Sequence, residues 1–345
     1  MDAVERLILA GQAGLFAWPA GPVLLVGARP GPALSQLDAP LLTCVQPGKG
    51  PHDALLRAGY ACRPDLPEPS PEGFAAALLL ATRARVETLG RVAALTRLTR
   101  PGGLVAVSGA KTDGIDTLAG TLRDLLGAER YAKGHGKVVA FTRPDTLSED
   151  MASRLASFEA AARPAPNAQG YVTAPGMFSP AQADPGSQLL AQTLAGRLSG
   201  KVAELGAGYG WLAAQLLQTN PDMTELGLFE ADHASLAAAR ANVTDPRAAF
   251  HWADATALPA PQTRVDHVVS NPPFHDGRAA DPTLGQAFIA AAARLLTPKG
   301  RLTLVANRQL PYEAALAAQF IEVEPPMVSG GYKILAAARP RRKPR

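Results

Sequence analysis

The sequence has little cysteine and no long hydrophobic run. Two of its 345 residues are cysteine, Cys44 and Cys62, which is too few for a disulfide framework or a cysteine-rich metal cluster. We expect both thiols to pack as small apolar side chains. No stretch reaches the roughly 18 apolar residues that a membrane span needs, and the acidic start does not suit a secretory signal. The sequence therefore predicts a cytoplasmic protein without a membrane segment.

Metal-ligand spacing and strong charge are also lacking. No arrangement of His, Cys and Asp has the spacing typical of a metal site, so we expect no metal. The formal net charge is only +4, which is compatible with an anionic partner without requiring one. The sharpest concentration of cations is at the end of the chain, where it suits a solvated tail and a phosphate-contacting arm equally well. These cations are Arg339, Arg341, Arg342, Lys343 and Arg345.

Two halves of the chain show the same order of elements. In each half, buried strands that end in Gly or Pro turns alternate with helices, and LTRPGGLVAVSGAK of the first half corresponds to LLTPKGRLTLVANR of the second. This order predicts an α/β protein with two tandem Rossmann-like domains whose sheets are doubly wound and mostly parallel. The preceding helices are expected to end at Pro101-Gly102-Gly103 and Pro298-Lys299-Gly300. The expected boundaries are 1–160, a linker at 161–170, and 171–345.

The second half contains a glycine-rich turn between a strand and a helix. Gly206, Gly208 and Gly210 follow an apolar strand that carries Glu204, and a helix is expected from Trp211 onward. Glycines let backbone amides approach a ligand closely, and the helix N-terminus favours an anionic group. The spacing G-x-G-x-G differs from the dinucleotide pattern G-x-G-x-x-G. Taken alone, the turn is a weak signal for cofactor binding.

Two further acids strengthen the interpretation of a cofactor site. Glu230 ends the next predicted strand, where its carboxylate can accept hydrogen bonds from both ribose hydroxyls. Asp254 is expected to end the third strand, where it can accept from an adenine amino group while the neighbouring amide, that of Ala255, reaches a ring nitrogen. Together with Glu204 and the glycines, these residues predict a site for an adenosine-type cofactor.

The most specific motif is Asn271-Pro272-Pro273-Phe274, at the carboxyl end of a predicted parallel strand. The prolines stiffen the loop and hold the Asn271 side-chain oxygen and the Pro272 carbonyl in a fixed relation. These two acceptors can bind an NH2 group and localise the nitrogen lone pair toward a sulfonium methyl group. Phe274, with Pro273, offers a face for an unpaired base. We expect His275 to make a neutral contact rather than to act as an acid or base.

These motifs carry a resemblance to a known family. From Tyr171 to about Arg339, the chain resembles bacterial small-subunit ribosomal RNA guanine-N2 methyltransferases of the RsmC type, through PGMFSPAQADPGSQLL, AELGAGYG, SNPPFHDG, LVANRQLPY and GGYKILAA. The resemblance implies tandem methyltransferase-like domains of which the second is catalytic, with S-adenosylmethionine as cofactor. It also implies that Phe178, Ser179 and the segment 184–188 close over that cofactor. The expected partner is ribosomal RNA within a small subunit or an assembly intermediate.

The first half has no counterpart of the Asn-Pro-Pro-Phe motif, since ALLLATRARVE occupies its place. This half is therefore expected to be catalytically silent and to bind RNA or to give structural support. On its predicted helix, Arg83, Arg91 and Arg97 share one face with Glu87. A salt-bridged, solvated face is a slightly better interpretation of this stripe than RNA contact.

Several alternatives share the same chemistry. A guanine of 23S ribosomal RNA, the N6 of adenine and the side-chain amide of a glutamine in a translation factor all offer a planar NH2 group. Phenylalanine at position 274 and the tandem architecture favour guanine. A non-catalytic RNA-binding or assembly module is a further alternative, against which the intact Gly206, Glu230, Asp254 and Asn271 argue.

Overall fold

The computed structural model describes residues 1–37, 39–259, 263–273 and 282–341. The chain divides into two compact units. The first comprises Met1–Ala165 and Ala174–Gly176, and the second comprises Pro166–Thr173 and Met177–Arg345. Each unit contains its own sheet, so the expectation of two tandem Rossmann-like domains is confirmed.

The first unit is a mixed sheet with helices. Its strands are β1 (Val23–Val26), β2 (Leu42–Val45), β3 (Ala61–Arg63), β4 (Phe74–Leu80), β5 (Thr99–Ala110), β6 (Glu129–Lys133) and β7 (Gly136–Thr142). Its helices are α1 (Ala3–Gln12), α2 (Lys49–Arg57), α3 (Arg85–Leu98), α4 (Ile115–Leu126) and α5 (Glu149–Ala162). The strand order is β3-β2-β1-β4-β5-β7-β6, with β7 antiparallel to its neighbours.

The second unit repeats this plan after a short ladder of β8 (Ala165–Pro166) and β9 (Val172–Thr173). Its strands are β10 (Gly200–Leu205), β11 (Met223–Glu230), β12 (Ala248–Trp252), β13 (Val265–Ser270), β14 (Leu296–Asn307), β15 (Phe320–Val323), β16 (Met327–Ser329) and β17 (Tyr332–Pro340). Its helices are α6 (Pro185–Leu194), α7 (Trp211–Thr219), α8 (His233–Asn242), α9 (Pro282–Leu295) and α10 (Glu313–Gln319). The order is β12-β11-β10-β13-β14-β17-β15, and β16 pairs with β17.

The central strands are apolar on both faces because helices cover both faces of each sheet. In β1, Leu24 belongs to one buried cluster and Leu25 to another. In β10, Val202 and Ala203 divide in the same way between two clusters. Successive side chains of a strand point to opposite faces, so each unit has a core on either side of its sheet.

The sequence-based helix ends need a correction. The helices before Pro101 and Pro298 were expected to extend to those prolines, but α3 ends at Leu98 and α9 ends at Leu295. In both units the next strand starts immediately, with a single backbone pairing followed by a shift of register. The Pro-containing turn is thus a bulge inside the strand, because proline lacks the N–H that a regular ladder needs.

The arginine stripe also differs from its prediction. Arg83 lies before α3, whose N-cap is Ala84, so it does not share a helix face with the other arginines. Arg91 pairs with Glu87 at 2.6 Å, and Arg97 pairs with a glutamate of α5 at 3.1 Å. The salt-bridged interpretation of this helix face therefore fits better than a free stripe of cations.

The C-terminal cations are partly engaged within their own unit. Arg339 belongs to β17 and pairs with Glu322 at 2.9 Å. Arg341 donates hydrogen bonds from Nε to backbone carbonyls of Ala317 and Phe320. The remaining cations of the predicted tail, at positions 342–345, lie outside the described residues. In the part of the chain that the structure describes, no helix is both long enough and apolar enough to cross a membrane.

Candidate active site

The glycine-rich turn begins where β10 ends. Gly206, Gly208 and Gly210 have φ values of 76°, 56° and 85°, a region that side chains other than glycine rarely adopt. A Cβ atom added at Gly210 would lie 2.9 Å from a methyl group of Val243. The turn therefore requires glycine both for its backbone angles and for its close packing against α8, and α7 starts immediately after it.

Glu204 is a buried carboxyl group beneath this turn. The residue is 2% exposed, and its Oε2 has no hydrogen-bond partner among the described residues. Burial, and to a smaller extent the nearby Glu230, raise the pKa of Glu204 well above its ordinary value. An unpaired polar atom in such a place is costly unless a ligand or water satisfies it.

Glu230 ends β11, as the sequence predicts, and supports the turn. One of its oxygens accepts from the Gly208 N–H at 2.8 Å, and the other accepts from the Asp232 N–H at 2.7 Å. Burial raises the pKa of Glu230, and these backbone hydrogen bonds partly offset that effect. A carboxylate has about four lone-pair sites, so Glu230 retains acceptor capacity for ligand hydroxyls.

Asp254 lies two residues beyond the end of β12 rather than at its last position. Its Oδ1 accepts from the Thr256 backbone N–H at 2.9 Å and from the Thr256 hydroxyl at 2.6 Å. The side chain thereby caps a short 3-10 helix that begins at Ala255. The cap fixes Asp254 and Ala255 together at the edge of the sheet, next to the carboxyl end of β11.

Asn271 directly follows β13, and its side-chain amide is held from two sides. The amide nitrogen donates to Oδ2 of Asp184 and to Oγ of Ser187, both at 2.9 Å. The end of β13 is joined to β10, because the hydroxyl of Ser270 donates to the buried carbonyl of Leu205 at 2.7 Å. Asn271 is thus placed beside the glycine-rich turn by the sheet and oriented by α6.

A pocket beside the glycine-rich turn is lined by Glu204 and Asn271, whereas Glu230 and Asp254 are not among its lining residues. Its volume is about 420 Å³, counting the part open to solvent. Phe178, which is 55% exposed, lines this pocket. The remaining lining residues include Glu204, the turn from Gly206 to Tyr209, Trp211 and Asn271, together with Asp184 and Ser187 of the α6 start.

The sequence did not assign individual roles to Asp184 and Ser187. Asp184 is the N-cap of α6, where Oδ2 accepts from the Ser187 N–H at 2.9 Å, and proline occupies the first turn. This helix-start pattern is visible in the sequence. Its contact with Asn271 spans 87 positions, a distance over which local patterns carry no information.

Part of the predicted site falls outside the described residues. Phe274 and His275, predicted to contact the base, lie in the segment 274–281, which the structure does not describe. Pro272 and Pro273 are described and follow Asn271 as an irregular segment. In the described part of the chain, no group of three or more His, Cys, Asp or Glu residues is arranged to hold a metal ion.

The strand order, the glycine-rich turn after the first strand of the unit and the Asn-Pro-Pro segment after its fourth define an S-adenosylmethionine-dependent methyltransferase. The family model "Methyltransferase small domain" matches residues 169–336. Ribosomal RNA small subunit methyltransferase C of Shewanella oneidensis is 30% identical over 243 residues, which is 68% of this chain and 68% of that protein. The chain belongs to the family of ribosomal RNA small subunit methyltransferase C, and the resemblance predicted from its motifs is confirmed.

Two other relatives show how far the likeness extends. The Klebsiella pneumoniae protein of the same name is 36% identical over 162 residues, so this chain spans about half of that relative, 47% of its length. A solved structure of the T. thermophilus 16S rRNA N2 G1207 methyltransferase, in complex with AdoMet and guanosine, is 25% identical. The alignment covers 98% of this chain and 92% of that one, with a TM-score of 0.79. The likeness in fold therefore includes the first unit.

Proposed function

We propose that this protein transfers a methyl group from S-adenosylmethionine to the exocyclic N2 of a guanine in small-subunit (16S) ribosomal RNA. The observation that carries the proposal is the fixed amide of Asn271 at the edge of a pocket lined by Glu204 and the glycine-rich turn. Family membership and the solved relative with AdoMet and guanosine support the same activity.

The residues present fit the cofactor. Glu204 is a buried carboxyl group with an unpartnered oxygen at the pocket, and S-adenosylmethionine contains cationic groups that would satisfy it. We assign the ribose hydroxyls to Glu230, and the adenine to Asp254 and the Ala255 amide. In this proposal the cofactor lies close to the backbone amides of Gly206, Gly208 and Gly210, and Phe178 covers the site. When bound, the cofactor supplies a methyl group that is already activated by its sulfonium.

Asn271 and Pro272 orient the nucleophile in this proposal. The amino nitrogen of guanine is a weak nucleophile because its lone pair is delocalised into the ring. The Asn271 side-chain oxygen and the Pro272 carbonyl accept hydrogen bonds from the two N–H groups. They favour a pyramidal nitrogen whose lone pair points at the methyl group. The protein contributes mainly alignment. Pro273, Phe274 and His275 complete the proposed contacts with the base.

The two units have different roles in this proposal. The second unit catalyses, and the first is catalytically silent. The register of β1 and β4 places Leu80 where β10 and β13 place Asn271, and an aliphatic side chain offers no acceptor to an amino group. The domain boundaries at 1–160 and 171–345, with the linker between them, belong to the same proposal.

The substrate in the cell is proposed to be a small ribosomal subunit or an assembly intermediate, in the cytoplasm. The test is to supply radiolabelled S-adenosylmethionine with free 16S RNA, free 23S RNA, unmodified small subunits and total soluble protein, each separately. We expect label in the small-subunit RNA or in the particle that contains it. Label in 23S RNA or protein would overturn the substrate, and failure to label any of the four would favour a non-catalytic RNA-binding module.

A further inference from the structure

The turn after β1 is the structural counterpart of the glycine-rich turn after β10. The N–H of Gly27 donates to the carbonyl of Val45 at 2.9 Å, and the N–H of Gly206 donates to that of Phe229 at 2.8 Å. Gly27 also has a positive φ, 89°. The pairing registers on both sides of β1 and β10 agree, so residues of the two units can be matched one to one.

At the matched positions the first unit lacks the two carboxylates and the asparagine that are proposed to bind cofactor and substrate in the second. These counterparts are Leu25 for Glu204, Gln46 for Glu230 and Leu80 for Asn271. Gln46 is used internally, since Nε2 donates to a backbone carbonyl at 2.8 Å and Oε1 accepts a backbone N–H at 2.9 Å. This edge therefore lacks the carboxylates assigned to the cofactor in the second unit.

Cationic side chains lie at the same edge of the first unit's sheet. Arg29 occupies the position that Gly208 has in the second unit, and it is exposed. Arg63 ends β3, Arg83 follows β4 and Lys111 follows β5, and all three are exposed. The carboxyl ends of parallel strands meet at one edge of a sheet, which is where open α/β sheets bind ligands. We call these four cations the basic edge.

Two of the acids near the basic edge pair with other cations. Asp53 pairs with Lys49 at 2.8 Å, and Glu87 pairs with Arg91 at 2.6 Å. The carboxylate of Asp113 accepts a backbone N–H at 2.9 Å. Asp113 keeps its charge, and Asp65 lies two residues after Arg63, so the formal charge of the four cations with these two acids is +2, from 4 − 2.

We propose that the basic edge is a docking surface for the phosphate backbone of the RNA substrate. The inference deepens the proposed function and rests on it. Arginine binds phosphate with a planar fork of donors, and contacts of this type position RNA without reading its sequence. An edge with neutral and cationic residues at the positions where the second unit has carboxylates suits a polyanion better than an adenosine-type cofactor.

A pair of matched double variants tests the proposal in the full-length chain. Arg29→Glu with Arg63→Glu reverses two charges of the basic edge. Arg57→Glu with Arg100→Glu reverses two exposed arginines at the end of α2 and the start of β5, which lie at the opposite edge of the same sheet. Both doubles have the same net charge. Binding of 16S RNA transcript is measured over a range of salt concentrations, together with binding of S-adenosylmethionine.

We expect the basic-edge double to bind RNA at least about tenfold more weakly. The slope of log affinity against log salt should fall by roughly 1 to 2, since each lost phosphate contact contributes about 0.7–0.9. The control double should stay within about twofold of wild type, and cofactor binding should be the same in all three proteins. Arg29→Ala with Arg63→Ala provides a milder variant if the charge reversal impairs folding.

An unchanged RNA affinity in the basic-edge double, or an equal loss in the control double, would overturn the docking surface. These results are independent of the proposed function, because they are read from binding. Wild type that binds RNA through the basic edge yet transfers no methyl group would instead contradict the proposed function alone.

Discussion

The side-chain amide of Asn271 donates to Oδ2 of Asp184 at 2.9 Å, and this contact decides which way the amide faces. An ionised carboxylate only accepts hydrogen bonds, so the amide nitrogen must point toward Asp184 and the amide oxygen away from it. The second partner, the Ser187 hydroxyl at 2.9 Å, accepts or donates and therefore selects neither orientation. Asp184 alone of these two keeps the oxygen available for a substrate amino group.

Replacement of Asp184 should impair orientation more than binding. Asp184→Ser keeps an N-cap residue for α6 but removes the acceptor-only group. A hydrogen bond to a charged group contributes about 1.5–3 kcal/mol, so we expect kcat to fall roughly tenfold or more. Ser187→Ala should lower kcat by less than about threefold, because the orienting carboxylate remains.

Steady-state kinetics and direct cofactor binding distinguish orientation from ligand contact. If Asp184→Ser weakens S-adenosylmethionine binding while kcat at saturation is preserved, Asp184 is a cofactor ligand and not the residue that orients Asn271.

Asn271→Ala should abolish turnover without abolishing cofactor binding. It removes one of two proposed acceptors in a site where a single such group contributes about 100-fold or more to kcat. Pro272 keeps its carbonyl, and the glycine-rich turn does not depend on the amide. Calorimetry should show a dissociation constant for S-adenosylmethionine within a few-fold of wild type. Turnover near the wild-type rate would rule out the proposed role of the amide.

Glu204 should make the stability of the ligand-free enzyme depend on pH. Its pKa is raised in the folded state by burial first and by Glu230 second, so the folded state binds a proton more tightly than the unfolded state. Stability therefore falls as pH rises above the unfolded pKa of about 4.3 and until the folded pKa is passed. Glu204→Gln should raise Tm at neutral and alkaline pH by a few °C, given about 2–4 °C per kcal/mol, and much less near pH 4.

Thermal unfolding of both proteins between pH 4 and pH 9 measures this difference. A constant difference in Tm over that range would show that the pKa of Glu204 is not raised in the folded state. Because a nearby cation favours the ionised carboxyl, we also expect S-adenosylmethionine binding to release protons at pH values between the unfolded pKa of Glu204 and its raised folded pKa. The heat of binding should then depend on the ionisation enthalpy of the buffer in wild type and not in Glu204→Gln.

Cys44 should be unreactive in the native protein. It is buried in β2, and burial raises its pKa to about 12. At pH 8 only about 1 in 10,000 such thiols is ionised, and the thiolate is the nucleophile. Cys62 is only partly buried. A disulfide reagent at pH 8 should modify Cys62 first and Cys44 only after denaturation; equal rates in the native state would contradict the packed environment of Cys44.

The sequence predicted those parts of the site that are local in the chain. The glycine spacing after β10, the acid at the end of β11 and the Asn-Pro-Pro segment after β13 each lie in one short stretch, and parallel strands bring such stretches to one edge. Asp184 could not be paired with Asn271 in this way, because only the tertiary fold brings them together. The edge strand β15 and the small strand β16 were also not predicted, since their exposed side chains lack the pattern of a buried strand.

Tertiary pairing also decided where two helices end. Leu98 is followed by Thr-Arg-Pro and Leu295 by Leu-Thr-Pro, and both segments are equally compatible with a helix that extends to the proline. The structure instead begins β5 and β14 at once, because Thr99 and Leu296 each pair with the neighbouring strand before the bulge. Such a pairing is non-local and is not encoded in the propensities of the segment itself.

The most direct test of the account is the identity of the methylated nucleoside. Unmodified small ribosomal subunits and free 16S RNA are incubated with labelled S-adenosylmethionine and wild-type enzyme or Asn271→Ala, and the RNA is digested to nucleosides and analysed by chromatography with mass detection. We predict that the label is in N2-methylguanosine with wild type and is at least about 100-fold reduced with Asn271→Ala. Label in N6-methyladenosine, or equal labelling by the two enzymes, would contradict the proposed chemistry of this site.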